Sequence, residues 1–186
     1  MQSMRRADDT HNVRMTIWML GHSTRSIDAF LGLVTSQHID RLIDIRRLPR
    51  SRRHPQFDHV ALARSLADVG IEYTHAPNLG GRRRPAADSA NTAWQNDAFR
   101  GYADHMQTEV FARAIDDLVK RAETERLALM CAEALPWRCH RQLVADALVA
   151  RGVEVCEIES ESRIRPHAMT GWARVEGQAV TYPGVA

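Results

Sequence analysis

Short apolar segments and amphipathic segments alternate along this chain, and the alternation predicts strands and helices in turn. Residues 16–20 form an apolar run that ends at Gly21, which is typical of a buried strand. Apolar side chains then recur three and four positions apart over 27–34, which predicts a helix with one apolar face. Thr24 or Ser26 can cap that helix, because a side-chain oxygen placed just before the first turn accepts from its free amides.

The alternation continues to residue 158 and predicts four more strands and four more helices. Gly70 suits the position just beyond a helix end, since glycine adopts the left-handed conformation without strain. The segment 77–96 has no period, and long loops of this kind are usually functional or disordered. Residues 172–182 predict a small hairpin that turns at Gly177. The further strands are predicted over 41–45, 71–75, 126–130 and 153–158, and the helices over about 58–69, over 99–106, from Thr108 to 119 and over about 139–151.

Five strands interleaved with helices predict an α/β fold. We expect a single three-layer domain over residues 16–186, with a mostly parallel sheet of about five strands, helices on both faces and a short C-terminal hairpin. Residues 1–15 are polar and charged and show no period, so they are predicted to form a disordered N-terminal extension.

Composition places the chain among ordinary globular proteins. The 186 residues are 44% hydrophobic and 26% charged. The sequence contains neither an apolar run long enough to span a membrane nor a signal peptide, so we expect a cytoplasmic protein without membrane contact. Three cysteines, an odd number, argue against a disulfide framework and for reduced thiols.

The net charge is only +2, yet the arginines are clustered. Five of them, with no acid, lie within 46–53, and three more lie at 82–84. A guanidinium binds phosphate or carboxylate through paired hydrogen bonds, so these clusters favour an anionic ligand. For Arg50, Arg52 and Arg53, a solvated basic loop is an equally good interpretation.

The unusual polar residues follow the predicted strands directly. Because the carboxyl ends of parallel strands share one edge of the sheet, these residues are predicted to meet there, where open α/β sheets bind ligands. They are His22 and Ser23 after the first strand, Arg46 and Arg47 after the second, His75, Gly80, Gly81 and Arg82 after the third, and Cys131 and Glu133 after the fourth.

Several ordered motifs resemble the family described as domain of unknown function 488. They are GHSTR at 21–25, DIRRLPRS at 44–51 followed by PQF at 55–57, LGG at 79–81, FRGY at 99–102, and CAE at 131–133 followed by CHR at 139–141. The resemblance covers about residues 16–182. It implies an α/β domain of bacteria and archaea without an established reaction, whose paired cysteines point to catalysis or metal binding.

The segment 131–141 carries the densest chemistry. Cys139 is predicted near a helix N-terminus, where free amides and neighbouring arginines stabilise a thiolate. His140 is disfavoured as its base because adjacent side chains on a helix diverge, so His22 or His75 is the candidate base. Buried Cys131 and Cys139 would also fit a purely structural role in the core, and Cys156 is best explained that way.

Metal binding is a second interpretation of the same residues. Cys131, Cys139 and His140 are the candidate ligands, and zinc is the candidate ion. The spacing of seven residues between the two cysteines is not the short spacing of structural zinc sites, so a catalytic metal is favoured over a structural one.

Together these features predict an enzyme, a Cys-dependent or metal-assisted hydrolase or transferase, that acts on a phosphate-bearing ligand such as a nucleotide or nucleic acid. The alternative is a non-catalytic nucleic-acid-binding or metal-binding domain, with Trp94, Phe99 and Tyr102 available for base stacking. The candidate catalytic residues are Cys131, Cys139, Glu133 and His22, and the candidate ligand-binding residues are Ser23, Arg25, Arg46, Arg47, Gly80, Gly81, Arg138, His140 and Arg141.

Overall fold

Strands and helices alternate through most of the chain, as the sequence pattern predicts. The computed structural model describes residues 15–184, so the predicted extension over 1–15 lies outside the described residues except for Met15. The strands are β1 (Thr16–Gly21), β2 (Arg41–Asp44), β3 (Glu72–His75), β4 (Leu127–Cys131), β5 (Glu154–Ser160), β6 (Arg163–Pro166), β7 (Arg174–Glu176) and β8 (Ala179–Thr181). The α-helices are α1 (Ile27–Ser36), α2 (His59–Ala67), α3 (Asp97–His105), α4 (Glu109–Ala122) and α5 (Arg141–Val149).

The main sheet contains six strands in the order β3-β2-β4-β1-β5-β6. The first five strands of the chain pair in parallel, and β6 runs antiparallel to β5. Strands β7 and β8 form a separate hairpin that turns through Gly177, whose φ is 62°. The predicted α/β fold and C-terminal hairpin are confirmed, and β6 is a strand that the sequence pattern did not predict.

Helices cover both faces of the sheet, which therefore forms the middle of three layers. Helices α1 and α2 pack Phe30 and Leu62 against Met130 of β4 on one face. Helices α3, α4 and α5 pack on the opposite face, where Ile115 and Val144 contact the core. Successive strand residues point to opposite faces, so the apolar runs of β1 and β4 supply both cores. None of the helices within residues 15–184 is long and apolar enough to cross a membrane.

The ends of the helices follow their capping residues. The Ser26 hydroxyl accepts a hydrogen bond from the Ala29 amide at 3.2 Å, which identifies Ser26 rather than Thr24 as the cap of α1. Helix α5 begins at Arg141, later than the predicted start at 139. The residues before it, Pro136–Arg138, form a 3-10 helix, and His140 takes the capping position.

The connections that follow the neighbouring parallel strands β1 and β4 leave the sheet on opposite faces. Strands β1 and β2 are followed by α1 and α2 on one face, whereas β4 is followed by α5 on the other. Adjacent strands whose connections leave on opposite faces open a crevice at their carboxyl ends, where such sheets bind ligands. Cys131, the last residue of β4, lies at this point.

Candidate functional site

A solvent-open cavity of about 830 Å³ lies at the carboxyl ends of β1, β2 and β4. It joins segments that are far apart in sequence, because the parallel strands bring their following loops to one edge. Its lining consists of His22, Arg46, Arg47, Leu48, Arg50, Ser51, Arg52, His54, Gly81, Arg82, Ala98, Phe99, Cys131, Ala132, Glu133, Arg138, Cys139 and His140.

The cavity is strongly basic. Six arginines line it, and Glu133 is the one carboxylate among the lining residues within the described chain. Arg50, Arg52, Arg82 and Arg138 form neither a hydrogen bond nor an ion pair through their side chains with any described residue. Opposite charge does not compensate these four guanidiniums, so the cavity is electrostatically suited to an anion.

The floor of the cavity holds two thiols and one imidazole. Nδ1 of His140 lies 3.9 Å from Sγ of Cys131 and 3.7 Å from Sγ of Cys139. The expectation that adjacent Cys139 and His140 diverge was therefore wrong. Both residues precede the first turn of α5, so the helical geometry on which that expectation rested does not apply to them.

The orientation of the His140 ring is fixed on both sides. Its Nε2 lies 3.2 Å from the carbonyl oxygen of Ile45, and a carbonyl can only accept, so Nε2 carries the proton in the neutral ring. The lone pair of Nδ1 then points at the two sulphurs. Gly81 packs against the ring, and a Cβ at this position would lie 2.7 Å from Nδ1, so the close approach requires glycine.

The two thiols share their ionisation unequally. A hydrogen bond from the Cys139 thiol lowers the pKa of Cys131 well below its ordinary value, against the effect of burial, and His140 and Arg141 act in the same direction. The neighbouring Cys131 sulphur and burial raise the pKa of Cys139 well above its ordinary value. The two thiols therefore titrate as one coupled pair, in which the first proton leaves more readily than the second.

A buried ionic network supports the wall beside this floor. Asp44, at the end of β2, accepts hydrogen bonds from Nε and Nη2 of Arg46 at 2.9 and 2.6 Å and from the Tyr73 hydroxyl at 2.7 Å. The bonds and charge of Asp44 outweigh burial and raise the pKa of the Arg46 guanidinium. Asp44 neutralises Arg46, so Arg46 attracts an anion less strongly than the arginines at the mouth.

His22 lines the cavity, but its ring forms no hydrogen bond with either thiol among the described contacts. Nδ1 of His22 lies 2.8 Å from the Ser23 carbonyl and donates a hydrogen bond to it, since a carbonyl can only accept. Nε2 faces Nη1 of Arg46 at 3.4 Å. Burial lowers the pKa of His22, with the Arg46 charge acting in the same direction and the Ser23 hydrogen bond opposing both. The alternative base, His75, donates Nε2 to the Arg46 carbonyl and lies outside the cavity lining. His140 is thus the imidazole placed to exchange a proton with the thiols.

Arg141 is not placed to hold a ligand, contrary to the expectation from sequence. It is fully buried and pairs with Glu157 of β5, with Nε 3.3 Å from Oε2. Its remaining nitrogens donate to the carbonyls of Glu133 and Ala134 at 3.0 and 3.3 Å. Arg141 therefore fixes the loop after β4 from inside the core, and each of its three side-chain nitrogens has a partner there.

The other predicted residues divide into two groups. Arg47 and Glu133 are exposed at the cavity lining, and Nη1 of Arg47 donates to the Arg82 carbonyl at 2.8 Å. Ser23, Arg25 and Gly80 lie near the cavity but do not line it, and Nη1 of Arg25 donates to the Gly21 carbonyl.

Some residues of the site were not among the predicted ones. Asp44 is the most important, and its signal is an acidic residue that directly continues a buried apolar strand. Ser51 and His54 line the cavity from a loop whose direction the sequence leaves open.

The three candidate stacking residues have different environments. Tyr102 is buried, and its hydroxyl donates to the Leu79 carbonyl. Trp94 packs among Phe99, Trp172 and Tyr182. Phe99 alone reaches the cavity.

These features define the class of protein as a three-layer α/β protein with an arginine-lined cavity at the carboxyl ends of its parallel strands. The chain belongs to the family described as "Domain of unknown function DUF488", whose sequence model matches residues 26–148. The match is narrower than the predicted resemblance over 16–182 and begins after the GHSTR motif. No curated protein and no solved structure matches the chain.

Proposed function

We propose that this protein is an enzyme, a hydrolase or transferase, that acts on a phosphate-bearing ligand such as a nucleotide or nucleic acid. The observation that carries the proposal is the charge of the cavity, in which six arginines accompany one carboxylate above a reactive thiol–imidazole floor. Guanidiniums recognise phosphate through charge-assisted, often paired hydrogen bonds, and they keep their charge at any physiological pH.

The proposed roles follow from position. Arg50, Arg52, Arg82 and Arg138 hold the phosphates, because these side chains have no other described partner. Cys131, Cys139 and His140 form the reaction centre at the cavity floor. Glu133 is exposed at the lining and acts as the acid or base that exchanges a proton with the ligand.

A cytoplasmic location also belongs to the proposal. All three cysteines are free in the structure, which favours a reducing compartment.

A non-catalytic nucleic-acid-binding domain is the second candidate. Trp137 is 58% exposed and immediately precedes Arg138, and Phe99 lines the cavity, so aromatic and cationic groups lie together as base stacking requires. The thiol–imidazole floor favours the enzyme, because a binding surface alone has no use for it.

Calorimetric titration with ADP, inorganic pyrophosphate and a single-stranded oligonucleotide tests the proposal. We expect ADP to bind much more tightly than adenosine, and the double variant Arg50→Gln/Arg52→Gln to weaken ADP at least about tenfold, since a hydrogen bond to a charged group contributes about 1.5–3 kcal/mol. Arg163→Gln/Arg174→Gln removes the same charge from β6 and β7 and serves as the matched control.

Three outcomes decide between the candidates. Equal affinities for ADP and adenosine, or equal losses in the two double variants, would refute the phosphate site. Tight, strongly salt-dependent oligonucleotide binding with no release of phosphate from any probe would favour the binding domain. Phosphate release that is lost in Cys139→Ser would support the enzyme.

A further inference from the structure

The three donor atoms on the cavity floor are arranged as metal ligands are. Sγ of Cys131, Sγ of Cys139 and Nδ1 of His140 all lie within 4.8 Å of one another. Zinc bonds are about 2.3 Å to sulphur and about 2.0–2.1 Å to nitrogen. At a tetrahedral angle, these lengths place a sulphur ligand and a nitrogen ligand about 3.6 Å apart. The observed sulphur–nitrogen distances are 3.7 and 3.9 Å. Small side-chain rotations close that difference.

We propose that Cys131, Cys139 and His140 bind a zinc ion through these three atoms. The inference specifies the chemistry of the reaction centre proposed above and rests on that proposal for its role in a reaction. It assigns both sulphurs as ligands, so neither acts as the nucleophile.

The hydrogen bond on the far side of His140 supports this assignment. Zinc-binding histidines generally donate their second ring N–H to a carbonyl or carboxylate, which fixes the tautomer and aims the other nitrogen at the metal. Nε2 of His140 lies 3.2 Å from the Ile45 carbonyl, and this leaves the Nδ1 lone pair directed at the sulphurs. Gly81, whose Cβ would collide with the ring, keeps it in this position.

The surroundings of the sulphurs also suit thiolate ligands. The Arg141 amide donates to Sγ of Cys139 at 3.4 Å, and both cysteines are buried. Two buried thiolates are costly without a countercharge, because burial disfavours the charged form. Arg141 is already paired with Glu157, so it offsets little of that cost. A Zn²⁺ ion neutralises both thiolates.

Three protein ligands leave one coordination position open. The cavity lies on the open side, since all three ligand residues belong to its lining. Catalytic zinc sites use three protein ligands, two cysteines and one histidine among the known sets, whereas structural sites are closed by four. A zinc ion held by these three residues would be reached from the cavity, and it would bind a water or an oxygen of the ligand there.

Metal analysis of the full-length protein tests the site directly. We expect one zinc per chain after purification, and reconstitution of the chelated protein with Co²⁺ alone should give the thiolate charge-transfer and visible bands of a tetrahedral two-sulphur site. Cys131→Ser and Cys139→Ser should each lower zinc affinity by more than about a hundredfold, since losing even a second-shell partner costs about 10–100-fold. Cys156→Ser, which changes a cysteine of β5 outside the cluster, is the matched control.

The refuting results are equally specific. A zinc content in wild-type protein no higher than in Cys139→Ser, a cobalt spectrum without thiolate bands, or a Cys131–Cys139 disulfide in place of the metal would overturn the site. Circular dichroism shows whether each variant is folded, and His140→Gln, which alters no sulphur, should show the same loss of zinc. Zinc binding without phosphate binding would refute the proposed function alone, and ADP binding by a wild-type protein that takes up no zinc when the metal is supplied would refute the metal site alone.

Discussion

The buried Arg141–Glu157 pair should be among the most sensitive points of the fold. The two side chains are 0% and 4% exposed, so neither charge can recover solvation when its partner is lost. We consider Glu157→Gln, which keeps the shape of the side chain and removes its charge. The substitution leaves the Arg141 guanidinium charged, buried and without a counterion.

The expected cost follows from this burial. Removing one partner of a buried ion pair costs about 3–5 kcal/mol. The lower value is expected here, because the glutamine oxygen still accepts from Nε of Arg141. With an m-value of about 2 kcal/mol/M in urea, a loss of about 3 kcal/mol moves the unfolding midpoint down by about 1.5 M. This is a large part of the total stability of a typical domain, about 5–15 kcal/mol.

Urea denaturation followed by circular dichroism measures the effect, with Glu159→Gln as the control. Glu159 pairs with Arg163 and Arg165 at the surface, and exposed pairs contribute under about 1 kcal/mol. Equal midpoints for the two variants would refute the reasoning. The double variant Arg141→Met/Glu157→Leu should lose less stability than the two single variants together, because it removes both buried charges.

Two further predictions concern the cavity. Gly81→Ala places a methyl group 2.7 Å from Nδ1 of His140, so we expect zinc affinity to fall about 10–100-fold, as it does when a residue that supports a zinc ligand is lost. Competition with a chelator measures this affinity, and Gly171→Ala, where nothing lies within 4 Å, should bind zinc as the wild type does. Equal zinc affinities for the two variants would contradict the prediction. The pKa of His22 is lowered in the folded protein, mainly by burial, with Arg46 adding to the effect and the Ser23 carbonyl, Cys131 and Asp44 opposing it. A lowered pKa makes its contribution to stability complete above the unfolded-state value of about 6.5 and lost as pH falls through the folded-state value. The unfolding free energy of the wild type should therefore fall more steeply than that of His22→Gln below about pH 6.5, and parallel pH profiles would show that His22 makes no such contribution.

Most of the fold could be predicted from the sequence, because the burial of helix and strand faces imposes a regular spacing of apolar residues along the chain. The strands β1 and β4 are continuous apolar runs, as parallel strands covered on both faces must be. Strand β6 (Arg163–Pro166) escaped prediction for the opposite reason. It lies at the edge of the sheet, its side chains are mostly exposed, and its pairing with β5 depends on backbone groups that every sequence supplies.

The site was predicted at the level of the sheet edge but not at the level of individual side chains. The backbone positions of His22, Arg46 and Cys131 could be predicted from the strand ends, because the parallel topology alone brings these three residues to one edge of the sheet. The direction in which the Arg141 side chain points depends on where α5 starts, which is two residues later than predicted. No local sequence pattern marks that start. Its partner did leave a signal. Glu157 is an acid within the buried run of β5, and such a residue requires a buried cation.

The distribution of charge connects the two proposals. Arg46 and Arg141 are buried and are neutralised by Asp44 and Glu157, so they hold the walls of the cavity without adding much to its field. The lining arginines near solvent have no carboxylate partner among the described residues; they are Arg47, Arg50, Arg52, Arg82 and Arg138. In the proposed function, a phosphate-bearing anion would be attracted first at the mouth, where desolvation costs least. The negative charge of the metal-free thiol pair would repel the anion. Two thiolates that bind Zn²⁺ would instead form a neutral floor with an open coordination position, so the two proposals are electrostatically compatible.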